Sequence, residues 1–209
     1  FVFIPLAHRL GLYGIKSEME DIWLRYKEPE AFNEITEKIN RNISDKDREI
    51  SDFIAPINDA LKAAGFKYEI KKRVKTPYSI WNKMNNKGIP FDQIYDLYAV
   101  RIIFDPDKDS KETERDQCYH VFSIITSLYR YKADRVRDWV NYPKNNGYEA
   151  LHCTLMSNAG FWIEVQIRST RMNEIAEKGI AAHWAYKKNG FAEDNESEMD
   201  KWISKVKDM

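Results

Sequence analysis

The sequence predicts an α+β fold, in which an all-helical segment of residues 1–42 precedes a domain of helices and strands, residues 43–190. Two observations lead to this prediction. Up to residue 64 the readable pattern is helical, whereas from residue 68 onward strand-like runs alternate with helical stretches. Hydrophobic residues make up 43% of the 209 positions, which is enough for one large domain or for one domain with a helical appendage.

The first part of the chain is predicted to form two helices over residues 1–26, separated by a glycine-bounded break, with the second helix beginning near Ser17. A further helix is predicted over residues 47–64, and Gly65 gives it a favourable C-terminal stop. The chain begins at Phe1, inside an apolar run, so we expect it to be a piece of a longer protein.

After residue 64 the chain is predicted to contain four strands and three helices. Two strands cover residues 68–74 and 96–104, while "LHCTLM" and "FWIEVQIRS" form a hairpin around a Ser-Asn-Ala-Gly turn. One helix begins with Thr76 as N-cap and Pro77 in its first turn, and it stops at Gly88. The other helices cover residues 114–129 and about 170–187, and a tail of residues 191–209 is acidic and then amphipathic.

Composition argues against several classes of protein. Lys plus Arg and Asp plus Glu both number 33, so the formal net charge is zero, and bulk binding to nucleic acid or to a membrane surface is disfavoured. The two cysteines, Cys118 and Cys153, form neither a metal-ligand spacing nor a disulfide framework. No apolar run approaches the roughly 20 residues of a membrane span, and we expect a cytoplasmic protein.

Cations cluster where the first predicted strand meets the helix that begins at Thr76. Arg73 and Lys75 end the strand, and Ser79 and Lys83 lie on one face of the helix. Because free N–H groups at a helix N-terminus attract anions, this junction suits a polyphosphate. The alternative is an ordinary solvated lysine face.

Two carboxylates are carried by predicted strands. Glu164 alternates with Gln166 and Arg168 on the face opposite the apolar residues Ile163 and Val165, and Asp96 opens an earlier strand. A pair of strand-borne carboxylates suits Mg²⁺, which uses one or two of them together with water and substrate phosphates. The alternatives are a half-exposed edge hairpin with a solvated polar face and an aspartate that caps a strand.

The stretch "RVRDWVNYPKNNGYEALHC", residues 135–153, combines cations and aromatic rings with an Asn-Asn-Gly turn. Arg135 and Arg137 lie two residues apart, so in an extended segment both would point to one side. His152 suits a phosphate or hydroxyl contact, with a structural role as the alternative. By contrast, His183 falls on an apolar helical stripe and is predicted to pack in the core.

Several motifs occur together and in order: "RVKTPYSIWNKM", "FDQIYDLYAVRII", "NYPKNNGYEALH" and "WIEVQIRSTRMNEIAEKGIAAHWAYK". Together they resemble the synthetase domain of the RelA/SpoT family over roughly residues 73–188. The N-terminal "PLAHRLGLYGIKSEMED" is similar to the helices that join the hydrolase domain of that family to its synthetase domain. The His-Asp motif of the hydrolase does not occur in the chain, so we expect no alarmone hydrolysis.

The resemblance implies a nucleotidyltransferase-like fold with a mixed β-sheet flanked by helices. It implies transfer of pyrophosphate from ATP to the 3′-hydroxyl of GDP or GTP, assisted by Mg²⁺, which makes ppGpp or pppGpp in the stringent response. The motifs imply that Arg73 lies over the adenine of ATP and that Lys75, Ser79 and Lys83 bind its phosphates. They imply that Asp96 and Glu164 bind the metal, that Glu164 also faces the 3′-hydroxyl, and that Gln166 and Arg168 support the site.

For the acceptor nucleotide, the motifs imply that Tyr148 stacks on the guanine, helped by Asn146, and that Lys144 and His152 contact the phosphates.

The chain also departs from the family pattern. Lys72 replaces a glycine and Thr76 replaces a histidine. The run Arg-Val-Arg-Asp at 135–138 is a relative of the basic Arg-x-Lys-Asp motif, so it implies a bifunctional parent and places Arg135 and Arg137 in acceptor binding.

Two rival interpretations stay open at this point. One is a catalytically silent nucleotide-sensing domain of the same fold, against which the presence of both Asp96 and Glu164 argues. The other is an RNA-binding module, which the zero net charge disfavours. The resemblance implies ribosome contact only through domains that this chain lacks.

Overall fold

The computed structural model describes residues 2–94 and 97–178, without the side chains of residues 42–45 and 178. Four predicted features therefore lie outside the described residues: the metal ligand Asp96, the core histidine His183, the end of the last predicted helix and the tail of residues 191–209. The described elements, in chain order, are α1 Phe3–Arg9, α2 Tyr13–Lys27, α3 Pro29–Ala63, β1 Lys67–Val74, α4 Pro77–Lys87, β2 Tyr98–Asp105, α5 Glu114–Leu128, β3 Arg137–Asp138, β4 Leu151–Met156, β5 Trp162–Ser169 and α6 Thr170–Lys178.

The helical N-terminal part differs from its prediction in two places. Helix α2 begins at Tyr13 rather than near Ser17. Helix α3 begins at Pro29, where the fixed backbone angle of proline suits a first helical turn, and it continues through the boundary predicted after residue 42. Ile35 before that boundary and Ile57 after it lie in the same hydrophobic core. The division into domains stays a prediction.

Helix α4 confirms the start and stop signals that the sequence carries. The side chain of Thr76 accepts a hydrogen bond from the backbone N–H of Ser79, at 3.4 Å, and Pro77 is the first helical residue. At the other end, Gly88 has φ 61°, a left-handed conformation that glycine adopts without the steric cost of a Cβ atom.

The sheet has five strands in the order β1-β2-β5-β4-β3. Strands β2 and β5 run parallel, and the other neighbouring pairs run antiparallel, so the sheet is mixed as predicted. Strand β5 lies in the middle. The alternative of a half-exposed edge hairpin is therefore wrong, because β2 covers the side of β5 that an edge strand would leave free.

The two faces of β5 follow the predicted alternation. Ile163, Val165 and Ile167 are fully buried in the main core, to which α3 and α5 contribute apolar side chains. The opposite face carries Glu164, Gln166 and Arg168, and it is flanked by α6. We call this opposite side the polar face of the sheet.

No helix in the described part of the chain is both long and apolar enough to span a bilayer.

Candidate active site

The strand register gathers polar side chains on the polar face. Residues directly opposite each other on neighbouring strands lie on the same side of a sheet. Two rows cross the polar face from β1 to β4, and they are Arg73–Ala99–Glu164–Thr154 and Lys71–Arg101–Gln166–His152. The register therefore brings Arg73 of the predicted ATP site, Glu164 of the predicted metal site and His152 of the predicted acceptor site onto one surface.

A cavity of about 510 Å³ opens on this face. Its lining comes from five parts of the chain: the end of β1, the strand β2, the loop before β4, the strand β5 with α6, and the first two helices. Six of the lining residues are lysine or arginine, and one, Glu177, is a carboxylate. The six cations are Lys71, Lys72, Arg73, Arg101, Lys144 and Arg168. Such a surface attracts polyanions although the whole chain is neutral.

Five side chains on the polar face are joined by four hydrogen bonds and one longer contact, and we call them the polar ring: Glu164, Gln166, Arg168, Tyr148 and His152. Arg168 Nη2 donates to the Tyr148 hydroxyl at 2.5 Å and to Gln166 Oε1 at 3.0 Å. Gln166 Nε2 donates to Glu164 Oε1 at 2.7 Å. The Tyr148 hydroxyl lies 2.7 Å from His152 Nε2, and His152 Nδ1 lies 3.7 Å from Glu164 Oε1. Glu164 is thereby connected to the predicted guanine-stacking residue.

The electrostatic surroundings determine the charge of His152. Burial and the neighbouring cations Arg168, Lys144, Arg101 and Arg137 lower its pKa to about 3. The imidazole is therefore neutral at physiological pH, so any phosphate contact that His152 makes is a hydrogen bond rather than an ion pair. Burial, together with the charge of Arg168, also lowers the pKa of Lys144.

Tyr148 is enclosed by its neighbours. The Lys144 Nζ atom lies 5.0 Å from the centre of the Tyr148 ring, and the guanidinium of Arg168 lies 4.9 Å from it. Tyr13 of α2 meets the ring edge-on at 6.2 Å and accepts a hydrogen bond from Asn146. Because only 9% of Tyr148 is exposed, a base can stack on it only after one of these neighbours moves.

Neither arginine of the 135–138 motif is among the residues that line the cavity, although Arg137 pairs with His152 across β3 and β4. Arg135 ends a short 3₁₀ turn, Ala133–Arg135, whereas Arg137 is the first residue of β3. The two arginines therefore do not belong to one extended segment, and their place in acceptor binding stays a prediction. Arg137 donates to the backbone carbonyls of Asp134 and Val136 at 3.0 Å.

The residues predicted to bind ATP do lie around one strand-to-helix junction. Arg73 belongs to β1 and lines the cavity. Lys75 follows β1, and its backbone N–H donates to the Leu97 carbonyl at 2.9 Å. Ser79 and Lys83 lie one turn apart on α4.

Several residues near the site were missed by sequence reasoning, among them Arg101 of β2, which lines the cavity, and two residues of α2. Tyr13 lines the cavity against Tyr148. Asp21 Oδ1 accepts a hydrogen bond from the backbone N–H of Tyr78, at 2.9 Å, in the first turn of α4. Burial raises the pKa of Asp21. The N-terminus of α4 thus already holds one carboxylate, which its free N–H groups and dipole favour.

Of the two predicted magnesium ligands, Asp96 and Glu164, only Glu164 lies within the described residues. Glu164 is half-buried, and its Oε1 atom is the one held by Gln166. Within residues 2–94 and 97–178, no group of three or more His, Cys, Asp or Glu side chains converges as a metal site. Because Mg²⁺ uses one or two carboxylates and completes its shell with water and phosphate oxygens, Glu164 fits such an ion.

The chain is similar to known proteins over most of its length. The family model described as "Region found in RelA / SpoT proteins" matches residues 72–191. The GTP pyrophosphokinase of Photobacterium angustum is 35% identical over 98% of this chain and 27% of its own length. The bifunctional (p)ppGpp synthase/hydrolase SpoT of Escherichia coli is 36% identical over 90% of this chain and 26% of its own length. The chain thus spans about a quarter of the length of these relatives.

One crystal structure supports the fold independently. The small alarmone synthetase 1 of Bacillus subtilis is 17% identical, with a TM-score of 0.50, and the match covers 82% of this chain and 96% of that one. The likeness confirms the predicted fold class, an α+β fold with a mixed sheet flanked by helices. Together with the family match and the 35% identity to its curated relatives, it leads to one conclusion: the chain belongs to the RelA/SpoT family.

Proposed function

We propose that this chain is an alarmone synthetase domain, which transfers pyrophosphate from ATP to the 3′-hydroxyl of GDP or GTP and releases AMP. The products are ppGpp and pppGpp. The observation that carries the proposal is the placement of Glu164 beside a cavity that six cations line. The next two residues on the same face of β5, Gln166 and Arg168, line that cavity. Family membership and the relatives named GTP pyrophosphokinase agree with it.

The donor side of the reaction belongs to the junction of β1 and α4. Arg73 is proposed to lie over the adenine, where a guanidinium can stack on an aromatic ring. Lys75, Ser79 and Lys83 are proposed to hold the phosphates of ATP, next to the free N–H groups of the helix N-terminus. The Asp21 carboxylate accepts a hydrogen bond from one of these N–H groups, that of Tyr78, so a phosphate would compete with Asp21 for this donor.

The acceptor side belongs to the loop before β4. Tyr148 is proposed to stack on the guanine with help from Asn146, while Lys144 and the neutral His152 contact the phosphates. The proximity of Lys144 to the rings of both Trp139 and Tyr148, at 4.7 and 5.0 Å, supports a cation that moves from an aromatic surface to an anionic ligand.

The chemical step needs positioning and charge neutralisation more than covalent help from the protein. The 3′-oxygen of the acceptor attacks the β-phosphorus of ATP, the bond to the bridging α–β oxygen breaks, and AMP leaves. Glu164 orients the 3′-hydroxyl and receives its proton. Mg²⁺, held by Glu164 and Asp96, would neutralise charge on the phosphates.

The proposal is tested by incubating the chain with ATP, GDP and MgCl₂ and separating the nucleotides by anion-exchange chromatography. We expect a new species that elutes as ppGpp and disappears when EDTA is added. Binding of both nucleotides without any product would favour the silent sensing domain instead.

Tyr148→Ala should raise the KM for GDP far more than the KM for ATP. Stacking on a base is worth about 1–3 kcal/mol, which corresponds to a rise of about 5- to 150-fold. Steady-state kinetics with each nucleotide varied in turn measure both constants. Tyr142→Ala is a matched control, because Tyr142 lies in the same loop and is 74% exposed. An equal rise in the KM for ATP would assign the ring to the donor instead.

Replacing Arg135 and Arg137 together by glutamate should change the preference between GDP and GTP. The γ-phosphate of GTP adds negative charge, so reversing two charges near the acceptor loop should penalise GTP more than GDP. The unchanged chain is expected to use GDP at least as well as GTP. The measurement is kcat/KM for both acceptors at fixed ionic strength. An unchanged ratio would leave the two arginines as surface residues worth under about 1 kcal/mol.

A further inference from the structure

The hydrogen-bond directions within the polar ring follow from the number of protons that each group carries. A guanidinium has donors and no acceptor, so Arg168 must donate to both of its partners, the Tyr148 oxygen and Gln166 Oε1. Since the carbonyl oxygen of Gln166 faces Arg168, its amide nitrogen faces Glu164 and donates to Oε1. One series of hydrogen bonds therefore runs from Arg168 through Gln166 to Glu164.

A second series of hydrogen bonds passes through the Tyr148 hydroxyl. Its oxygen already accepts from Arg168, and its single proton has His152 Nε2 within reach at 2.7 Å. If His152 donated instead, the hydroxyl proton would lose this acceptor within a side chain that is only 9% exposed, which is costly. Tyr148 therefore donates, and Nε2 of His152 is the unprotonated nitrogen.

An imidazole whose Nε2 accepts a hydrogen bond carries its one proton on Nδ1. This nitrogen lies 3.7 Å from Glu164 Oε1, which is too long for a good hydrogen bond but close enough for an N–H dipole to attract the carboxylate oxygen. Both series thus start at Arg168 and end at Oε1 of Glu164. Glu164 Oε2 has no hydrogen-bond partner within the part of the chain that the structure describes.

We propose that the Tyr148 hydroxyl and His152 are positioning groups for Glu164, since together with Gln166 they fix Oε1 and leave Oε2 to act on the acceptor hydroxyl. The proposal rests on the synthetase function proposed above and refines it in two ways: it divides the labour within Tyr148, and it assigns both ring nitrogens of His152 to Tyr148 and Glu164 in place of a phosphate contact. The ring of Tyr148 binds the acceptor, and its hydroxyl aligns the carboxylate.

The kinetic test is Tyr148→Phe, which keeps the ring and removes the hydroxyl. Losing one outer partner of an active-site group costs about 10- to 100-fold, so kcat should fall by this factor. The KM for GDP should stay within about threefold, because stacking is retained. Tyr129→Phe is the matched control: Tyr129 lies in the main core, its hydroxyl donates to the Phe53 carbonyl at 3.0 Å, and kcat should be unchanged.

A second readout does not need an active enzyme. Long-range ¹H–¹⁵N correlation spectra of the histidine-labelled chain at neutral pH report which ring nitrogen carries the proton, and His152→Gln assigns the signal. We expect an Nδ1–H tautomer for His152, with a shift toward the Nε2–H form in Tyr148→Phe.

These two measurements separate failure of the inference from failure of the proposed function. An Nε2–H imidazole in the unchanged chain, or a kcat within about twofold of normal in Tyr148→Phe, overturns the inference. Absence of any product from the unchanged chain overturns the proposed function, while the tautomer still decides the hydrogen-bond directions. If Tyr148→Phe does not fold, the spectrum of the unchanged chain remains decisive.

Discussion

Glu164→Gln is expected to abolish synthesis of ppGpp while leaving the binding of ATP and GDP nearly intact. The amide has almost the same shape as the carboxylate, but it carries no charge and cannot receive the proton of the 3′-hydroxyl. Loss of such a group typically slows a reaction by about 10²- to 10⁴-fold. Initial rates at saturating substrates give the change in kcat, and titration calorimetry gives the two dissociation constants.

The control for this substitution is Glu34→Gln. Glu34 lies on α3, and its exposed side chain pairs with Lys38. Removing its charge should leave both rate and affinity unchanged, since exposed ion pairs contribute little. Turnover of Glu164→Gln close to that of the unchanged chain would rule out the role assigned to Glu164. A large loss of nucleotide affinity would instead assign the carboxylate to substrate binding.

Ile163→Ala should lower the free energy of unfolding by about 2–5 kcal/mol, the range for deleting a large aliphatic side chain from a core. Ile163 is adjacent to Glu164 but points to the opposite face of β5, where it is fully buried in the main core. The loss combines transfer of the side chain out of the core with the cavity that remains. Urea denaturation followed by circular dichroism measures it.

Comparison of Ile163→Ala with Ile163→Val provides the matched control, because valine removes one methyl group and should cost about 0.5–1.5 kcal/mol. At a temperature where both variants are folded, kcat should remain close to normal. Substitutions at the neighbouring residues Ile163 and Glu164 would then affect stability and catalysis separately. A destabilisation below about 1 kcal/mol for the alanine variant would show that this face of β5 does not pack in the core.

The features that the sequence predicted correctly depend on local patterns. The alternation along β5 placed Glu164, Gln166 and Arg168 on one face without knowledge of the neighbouring strands, because successive side chains of a strand point to opposite sides. The N-cap at Thr76 and the stop at Gly88 could likewise be predicted from short-range backbone chemistry.

The features that the sequence did not predict depend on contacts between distant segments. The central position of β5 results from its parallel pairing with β2, which no local pattern encodes. Tyr13 and Asp21 reach the site because α2 packs near α4 and α6. The motif resemblance assigned a role to the ring of Tyr148, whereas the role of its hydroxyl emerged only when Arg168 and His152 were seen beside it.

The fate of the phosphates tests the central claim most directly, that this chain transfers a pyrophosphate group as one unit. ATP labelled separately at the β- and γ-phosphates is incubated with GDP, MgCl₂ and the chain, and the nucleotides are quantified over time. We expect one AMP for each ppGpp formed, with both labels at the 3′ position of the product. Formation of ADP in place of AMP, or transfer of the γ label without the β label, would contradict it.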